Sequence, residues 1–153
     1  KAFGMNIIAW SPNLTAERAK AAGAELASKA ALLATADVVS LHLVLSDRSR
    51  GIVGGDDLAA MKPGALLVNT SRALLVDQAA LVEAIAARRI FAALDVYDQE
   101  PLPVNHPLRT LSNVVLTPHL GYGTVETLRD YYSQGVENAL AFISGKPIRV
   151  LSD

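Results

Sequence analysis

From Asn6 onward, short apolar runs alternate with longer alanine-rich stretches whose apolar positions recur every three or four residues. The first kind suits strands covered on both faces and the second suits amphipathic helices, so the alternation predicts strand–helix–strand units around a parallel sheet. The predicted strands are NIIAW (6–10), a minimal AEL (24–26), VVSLHLVL (38–45), ALLVN (65–69), FAALDV (91–96) and NVVL (113–116). VVSLHLVL is continuous enough to be a central strand buried on both faces. Thr15, Ser28, Asp77 and Thr124 each stand where a side-chain oxygen can cap a helix start, and Gly23 and Gly145 where a helix can end. GGDDLAAM (54–61) predicts a short helix with acidic residues near its N-terminus, and Lys62-Pro63-Gly64 a turn. The proline-rich DQEPLPVNHPL (98–108) can continue neither element and is expected to be a loop.

This order has a chemical consequence. Ser11, His42, Thr70, Arg72, Asp95 and His119 all fall at or just after the carboxyl ends of predicted strands, where open parallel sheets bind ligands. A ligand crevice is expected there. At 153 residues the chain is sized for one domain, and 51% hydrophobic against 19% charged residues is ample for a core. The net charge of −1 supplies no global positive field for nucleic acid or an anionic membrane. The apolar runs are too short to cross a bilayer, and no metal site is expected. The absence of cysteine excludes disulfides and thiolate chemistry, and makes the cytoplasm the default location. The opening KAFGM reads as the tail of a helix, so the chain is expected to be a fragment.

NTSRALLVD (69–77), ALDVYDQEPLP (93–103) and NVVLTPHLGYGT (113–124), in that order, resemble three signature segments of the D-2-hydroxyacid dehydrogenase family, which includes phosphoglycerate and glyoxylate/hydroxypyruvate reductases. AWSPNLT (9–15) and LHLVLSDRSRG (41–51) add to the likeness, which spans nearly the whole chain. The resemblance implies a doubly wound α/β, Rossmann-like NAD(P)-binding domain whose first strand and glycine-rich loop are missing from residues 1–153. The absent strand would lie between NIIAW and VVSLHLVL, and residues 144–153 would return towards a substrate-binding domain. It implies that Arg72 binds the substrate's carboxylate and carbonyl oxygens, that His119 is the acid/base, and that Glu100 supports His119. Homodimerisation through this domain is likewise implied.

Chemistry asks for the same residue types. Hydride transfer to a 2-keto acid leaves negative charge on the carbonyl oxygen, so an acid must deliver a proton as that charge develops. Histidine suits this near neutral pH, a neighbouring carboxylate favours its charged form, and a guanidinium fork matches a planar carboxylate. Singly, Arg72 reads as a surface ion-pair residue, Glu100 as a solvated loop residue and His119 as a structural or capping histidine; their joint occurrence in these segments carries the assignment. His42 and His106 read as packing, structural or exposed groups.

For the cofactor, the resemblance implies that Leu43 and Val44 lie along it and that Asp95 and the Thr70–Ser71 backbone hold the nicotinamide carboxamide. Gly121 would approach the ring, and Ser11 would meet the adenosine ribose. An acidic residue in place of Ser11 would select NAD, whereas serine neither binds the ribose hydroxyls as strongly nor repels a 2′-phosphate. NAD and NADP therefore both stay open, with NAD slightly favoured. Two positions depart from the family pattern: Ala73 stands for a glycine, which would disturb the backbone beside Arg72 if a positive φ were needed there, and Val44 stands for a proline. The rival function is a non-catalytic NAD-sensing, corepressor-like module. A formate dehydrogenase is disfavoured, because those enzymes pair the histidine with glutamine where this chain has Glu100. The expected partner is a small 2-keto or 2-hydroxy acid.

Overall fold

The computed structural model describes residues 1–151; the last two positions of the 144–153 segment lie outside the described residues. The chain divides into two units, Lys1–His119 and Leu120–Asp153. In the first, strands and helices alternate as β1 (Ile8–Ala9), α1 (Ala16–Ala21), β2 (Glu25–Leu26), α2 (Lys29–Thr35), β3 (Val38–Leu41), α3 (Gly55–Ala60), β4 (Leu66–Asn69), α4 (Gln78–Ala86) and β5 (Phe91–Leu94), after which a loop with one 3₁₀ turn leads to β6 (Val114–Leu116). Every strand pair is parallel, forming a four-stranded sheet in the order β3-β4-β5-β6 and a separate two-stranded sheet β1-β2. This is the expected α/β architecture. β1 and β3, between which the resemblance puts a further strand, belong to different sheets.

Local chemistry sets the helix starts. Thr15, Ser28 and Asp77 each accept a backbone N–H three residues on, from Arg18 (3.3 Å), Ala31 (3.1 Å) and Ala80 (3.0 Å). At α3 the pattern runs the other way: Gly54 has no side chain to offer, and the Asp57 carboxylate accepts the Gly54 N–H at 2.9 Å. Gly64 turns the chain into β4 at φ +80°, a region that a side chain would resist. The core lies between the four-stranded sheet and the helices, with Leu58, Met61, Leu67, Leu75, Leu81, Ile85, Ile90 and Leu108 sealed from solvent. Full burial of one such leucine or isoleucine contributes roughly 1.5–3 kcal/mol, and the well-covered β4 and β5 lie at its centre.

Two expectations need correction. VVSLHLVL is not a long strand buried on both faces: its ladder spans only Val38–Leu41, and burial alternates, with Val39 and Leu41 buried and Val38 and Ser40 exposed. β3 is the edge of its sheet, and beyond it Ser49 Oγ donates to the Val44 carbonyl at 2.6 Å, drawing the chain into a turn. Ala73 does not strain the backbone. It opens a short 3₁₀ turn, Ala73–Leu75, is buried, and has no positive φ.

The second unit is dominated by α5 (Val125–Ile143), capped by Thr124 Oγ1 accepting from Thr127 N and followed by Gly145 at φ +71°. Beyond it, Arg149 pairs with Glu137 at 2.7 Å and Asn138 at 3.0 Å. Among the described residues no helix is long and apolar enough to cross a membrane.

Candidate active site

The end of β4 is held by one buried amide. Asn69, at 1% exposure, accepts the Ser71 N–H through Oδ1 (3.1 Å) and donates through Nδ2 to the Arg72 carbonyl (2.9 Å). Both bonds fold residues 69–72 back on themselves, so that Arg72 caps the 3₁₀ turn with its side chain at the surface. Ser71 Oγ donates to the Leu43 carbonyl (2.9 Å) and ties this turn to the segment after β3. Arg72 also donates to the Ser71 carbonyl at 2.7 Å.

The ends of β5 and β6 are locked to each other. Asp95 is 4% exposed, and its Oδ1 accepts from Thr117 Oγ1 at 2.5 Å. The Tyr97 hydroxyl lies 3.0 Å from the Leu94 carbonyl and 2.8 Å from the Thr117 carbonyl, so it donates across the gap between the two strands. Its phenol pKa is raised, first by burial and then by the Asp95 charge, so it stays a donor. The Tyr97 backbone N–H donates to Glu100 Oε1 at 2.9 Å, while Glu100 Oε2 meets His119 Nδ1 at 2.8 Å. The Tyr97 N–H, then the His119 hydrogen bond, hold the Glu100 carboxyl below its ordinary range. A carboxylate can only accept, so the pairing puts a hydrogen on Nδ1 of the histidine. His119 takes a left-handed φ of +56°, unusual for a residue with a Cβ, and Asn, Asp and His are the side chains that tolerate it best.

Arg72, Glu100 and His119 line one cavity of about 350 Å³ together with Ala73, Val96, Tyr97 and Asp98. A second hollow of about 620 Å³ shares Tyr97, Glu100 and His119 with the first and is bounded also by Leu102, Arg109, Leu116 and Pro118 among others. A cation fork, an ionised carboxylate and an imidazole thus converge on a space fit for a small anion. The three residues singled out from sequence are brought together. Of the others, Leu43 and Ser71 touch, Asp95 is buried at the end of β5, Thr70 is exposed beside Ser71, and Val44 is exposed at 85%. Ser11 follows β1 in the two-stranded sheet, its carbonyl accepting the Leu14 N–H, and Gly121 belongs to the second unit. His42 bonds Ser40 Oγ at 2.8 Å, and His106 Nδ1 caps the 3₁₀ turn Pro107–Thr110. Asn69, Tyr97 and Thr117 were not singled out from sequence, although each sits at a strand end within a motif already marked.

The family model for the D-isomer specific 2-hydroxyacid dehydrogenase NAD-binding domain matches residues 1–121. The chain belongs to the D-isomer-specific 2-hydroxyacid dehydrogenases. This dehydrogenase domain is 46% identical over 147 residues to the glyoxylate reductase of Aeropyrum pernix, covering 95% of the chain and 44% of that protein. It is 38% identical over 150 residues to the D-3-phosphoglycerate dehydrogenase of Archaeoglobus fulgidus, covering 97% of the chain and 28% of that protein. A solved phosphoglycerate oxidoreductase of Vibrio cholerae superposes with a TM-score of 0.88 at 45% identity, covering 94% of this chain and 47% of that one. The domain thus spans less than half the length of these relatives. Its residues fit the NAD that the matched domain is described as binding. Asp95 is a buried carboxylate at the carboxyl end of a parallel strand, the kind of acceptor an amide-bearing ring needs, and it adjoins the cavity wall at Val96.

Proposed function

We propose that the protein containing this domain reduces a 2-keto acid to the D-2-hydroxy acid, or runs the reverse oxidation, using NAD or NADP. The observation that carries this reading is the Glu100–His119 pair at 2.8 Å sharing a cavity with Arg72. When bound, the nicotinamide supplies or accepts the hydride at the substrate's C2. Arg72 pairs with the substrate carboxylate and polarises the carbonyl oxygen, and His119 delivers the proton through Nε2 as negative charge develops there. Glu100 holds the ring through Nδ1 and stabilises its charged form, and Tyr97 holds Glu100. Reduction consumes one hydride and one proton, and oxidation returns both. Asp95 and the Thr70–Ser71 backbone take the carboxamide, Leu43 and Val44 flank the cofactor and Ser11 meets the adenosine ribose.

The separation of β1 from β3 supports a strand from outside residues 1–153 lying between them, and with it the phosphate-binding loop. The reading includes a cytoplasmic homodimer acting on a small molecule, with no nucleic acid or membrane partner. Glyoxylate, hydroxypyruvate and phosphoglycerate-type acids are the substrate class. The test is a panel of 2-keto acids with NADH and NADPH on the intact protein and its His119→Ala variant. Turnover should fall by about 100-fold or more in the variant while NADH still binds, and residues 1–153 alone should be inactive. Near-normal turnover by His119→Ala would overturn the acid/base role. Cofactor binding without turnover of any 2-keto acid would favour an NAD-sensing module.

A further inference from the structure

Thr117 makes three contacts that join groups the proposed reaction keeps in separate roles. Its hydroxyl donates to Asp95 Oδ1 at 2.5 Å, its N–H donates to the Leu94 carbonyl at 3.0 Å, and its own carbonyl accepts from the Tyr97 hydroxyl at 2.8 Å. The last contact leads through the Tyr97 N–H to Glu100, and two residues further along the chain stands His119. The backbone contacts are open to any residue. The hydroxyl contact is specific to serine or threonine, and it is directed at a carboxylate only 4% exposed.

We infer that Thr117 is a positioning residue for the nicotinamide end of the cofactor: its hydroxyl, bonded to buried Asp95, fixes the carboxylate that accepts the carboxamide N–H. This rests on the reading that Asp95 meets the carboxamide. A carboxylate on a single-bonded stem rotates about χ1 and χ2, and a directional acceptor is useful only in one of those orientations. The Thr117 hydrogen bond selects that orientation before the cofactor arrives. A carboxylate can accept several hydrogen bonds at once, so the bond from Thr117 is compatible with an amide N–H on the same group. Because Thr117 lies on the same strand end as His119, the plane of the ring and the proton donor are referred to one piece of backbone.

The test compares two ligands on the intact protein. NADH carries the nicotinamide and ADP-ribose lacks it, and the affinity of each is measured by titration calorimetry for wild type, Thr117→Val, Thr117→Ser and Asp95→Asn. Thr117→Val keeps the shape and removes the donor, so NADH should bind about tenfold more weakly or worse, while ADP-ribose binds as before. Thr117→Ser, which keeps the donor, should restore NADH affinity. Equal weakening of both ligands in Thr117→Val would mean a general loss of structure, and no change in either would mean that the hydroxyl is idle; each result overturns the inference. Asp95→Asn separates the inference from its premise. If Asp95→Asn selectively weakens NADH while Thr117→Val does not, the positioning role fails alone; if Asp95→Asn spares both ligands, the carboxamide reading falls and the inference with it.

Discussion

Replacing Glu100 by Gln removes the charge while keeping the size of the side chain and one acceptor oxygen; the amide NH2 can no longer accept, so one of the two bonds, from the Tyr97 N–H or from His119 Nδ1, is also lost. In the native pair Glu100 Oε2 lies 2.8 Å from His119 Nδ1, and the two side chains are 37% and 39% exposed. At that distance two unit charges attract by about 1.5 kcal/mol at the dielectric of water. Exposed pairs retain only about 0.2–1 kcal/mol after screening and side-chain ordering. One pH unit corresponds to about 1.36 kcal/mol, so the inflection of the pH–rate profile should move by roughly 0.15 to 0.7 of a unit. The direction follows from charge: the carboxylate favours positive charge on its partner as the proton is held for transfer, so without it the inflection of the profile moves to lower pH and the rate of reduction falls earlier. Glu100 itself, held below the ordinary carboxylate range first by the Tyr97 N–H and then by His119, stays ionised through the assay. Its depressed pKa also means that any stability it contributes is present above the ordinary carboxylate range and is lost as pH falls through the folded value. The assay is kcat/KM for glyoxylate with NADH across roughly pH 5 to 8, on the intact protein. An inflection that stays in place, or moves to higher pH, would refute the assignment of Glu100 as the charge behind His119.

Two further expectations test other parts of the domain. Ser11→Asp should raise the ratio of NAD to NADP efficiency by about tenfold or more, since a carboxylate accepts ribose hydroxyls and repels a 2′-phosphate; an unchanged ratio would mean that Ser11 does not face the ribose. Asn113, 8% exposed, donates through Nδ2 to the carbonyls of Ile85 and Ile90 at 2.8 Å each; Ile85 also accepts the Arg88 N–H at 2.9 Å, so Asn113→Leu removes two hydrogen bonds while Ile85 keeps a donor, and should cost about 1–3 kcal/mol by urea unfolding, whereas a cost within error would mean that the Ile90 carbonyl finds another donor.

Much of this was legible from local chemistry. Thr15, Ser28, Asp77 and Thr124 cap helices where their side chains say they should, because capping depends on residues within one turn. Arg72, Glu100 and His119 were legible only through their motifs, since nothing local to Glu100 says that it will meet a histidine nineteen residues away. What stayed hidden depends on neighbours across the fold. Val38–Leu45 carries the composition of a buried central strand, yet its pairing and burial depend on what lies beside β3. The buried amide of Asn69, the cross-strand hydroxyl of Tyr97 and the left-handed backbone of His119 are likewise products of register and turn geometry. Ala73 shows the converse: a substitution that threatened strain is harmless, because the turn it opens needs no positive φ.

Register also explains why three separate strands deliver one site. Asn69, Leu94 and Leu116 are aligned partners across β4, β5 and β6. Arg72, Tyr97 and His119 each stand three residues beyond those partners, and all three line the same cavity. Parallel pairing therefore brings an arginine, the residue that holds the carboxylate and the histidine to the same level of the sheet without any long loop having to find its place. Glu100 alone arrives by loop, and it is the group held twice, by the Tyr97 N–H and by His119. A slip of β6 by two residues would keep its apolar face inward but carry His119 about 7 Å from Glu100. The β5–β6 ladder opposes that slip, and the hydrogen bonds of Thr117 and Tyr97 add to it, so contacts that hold the sheet ends in register also hold the proposed chemistry together.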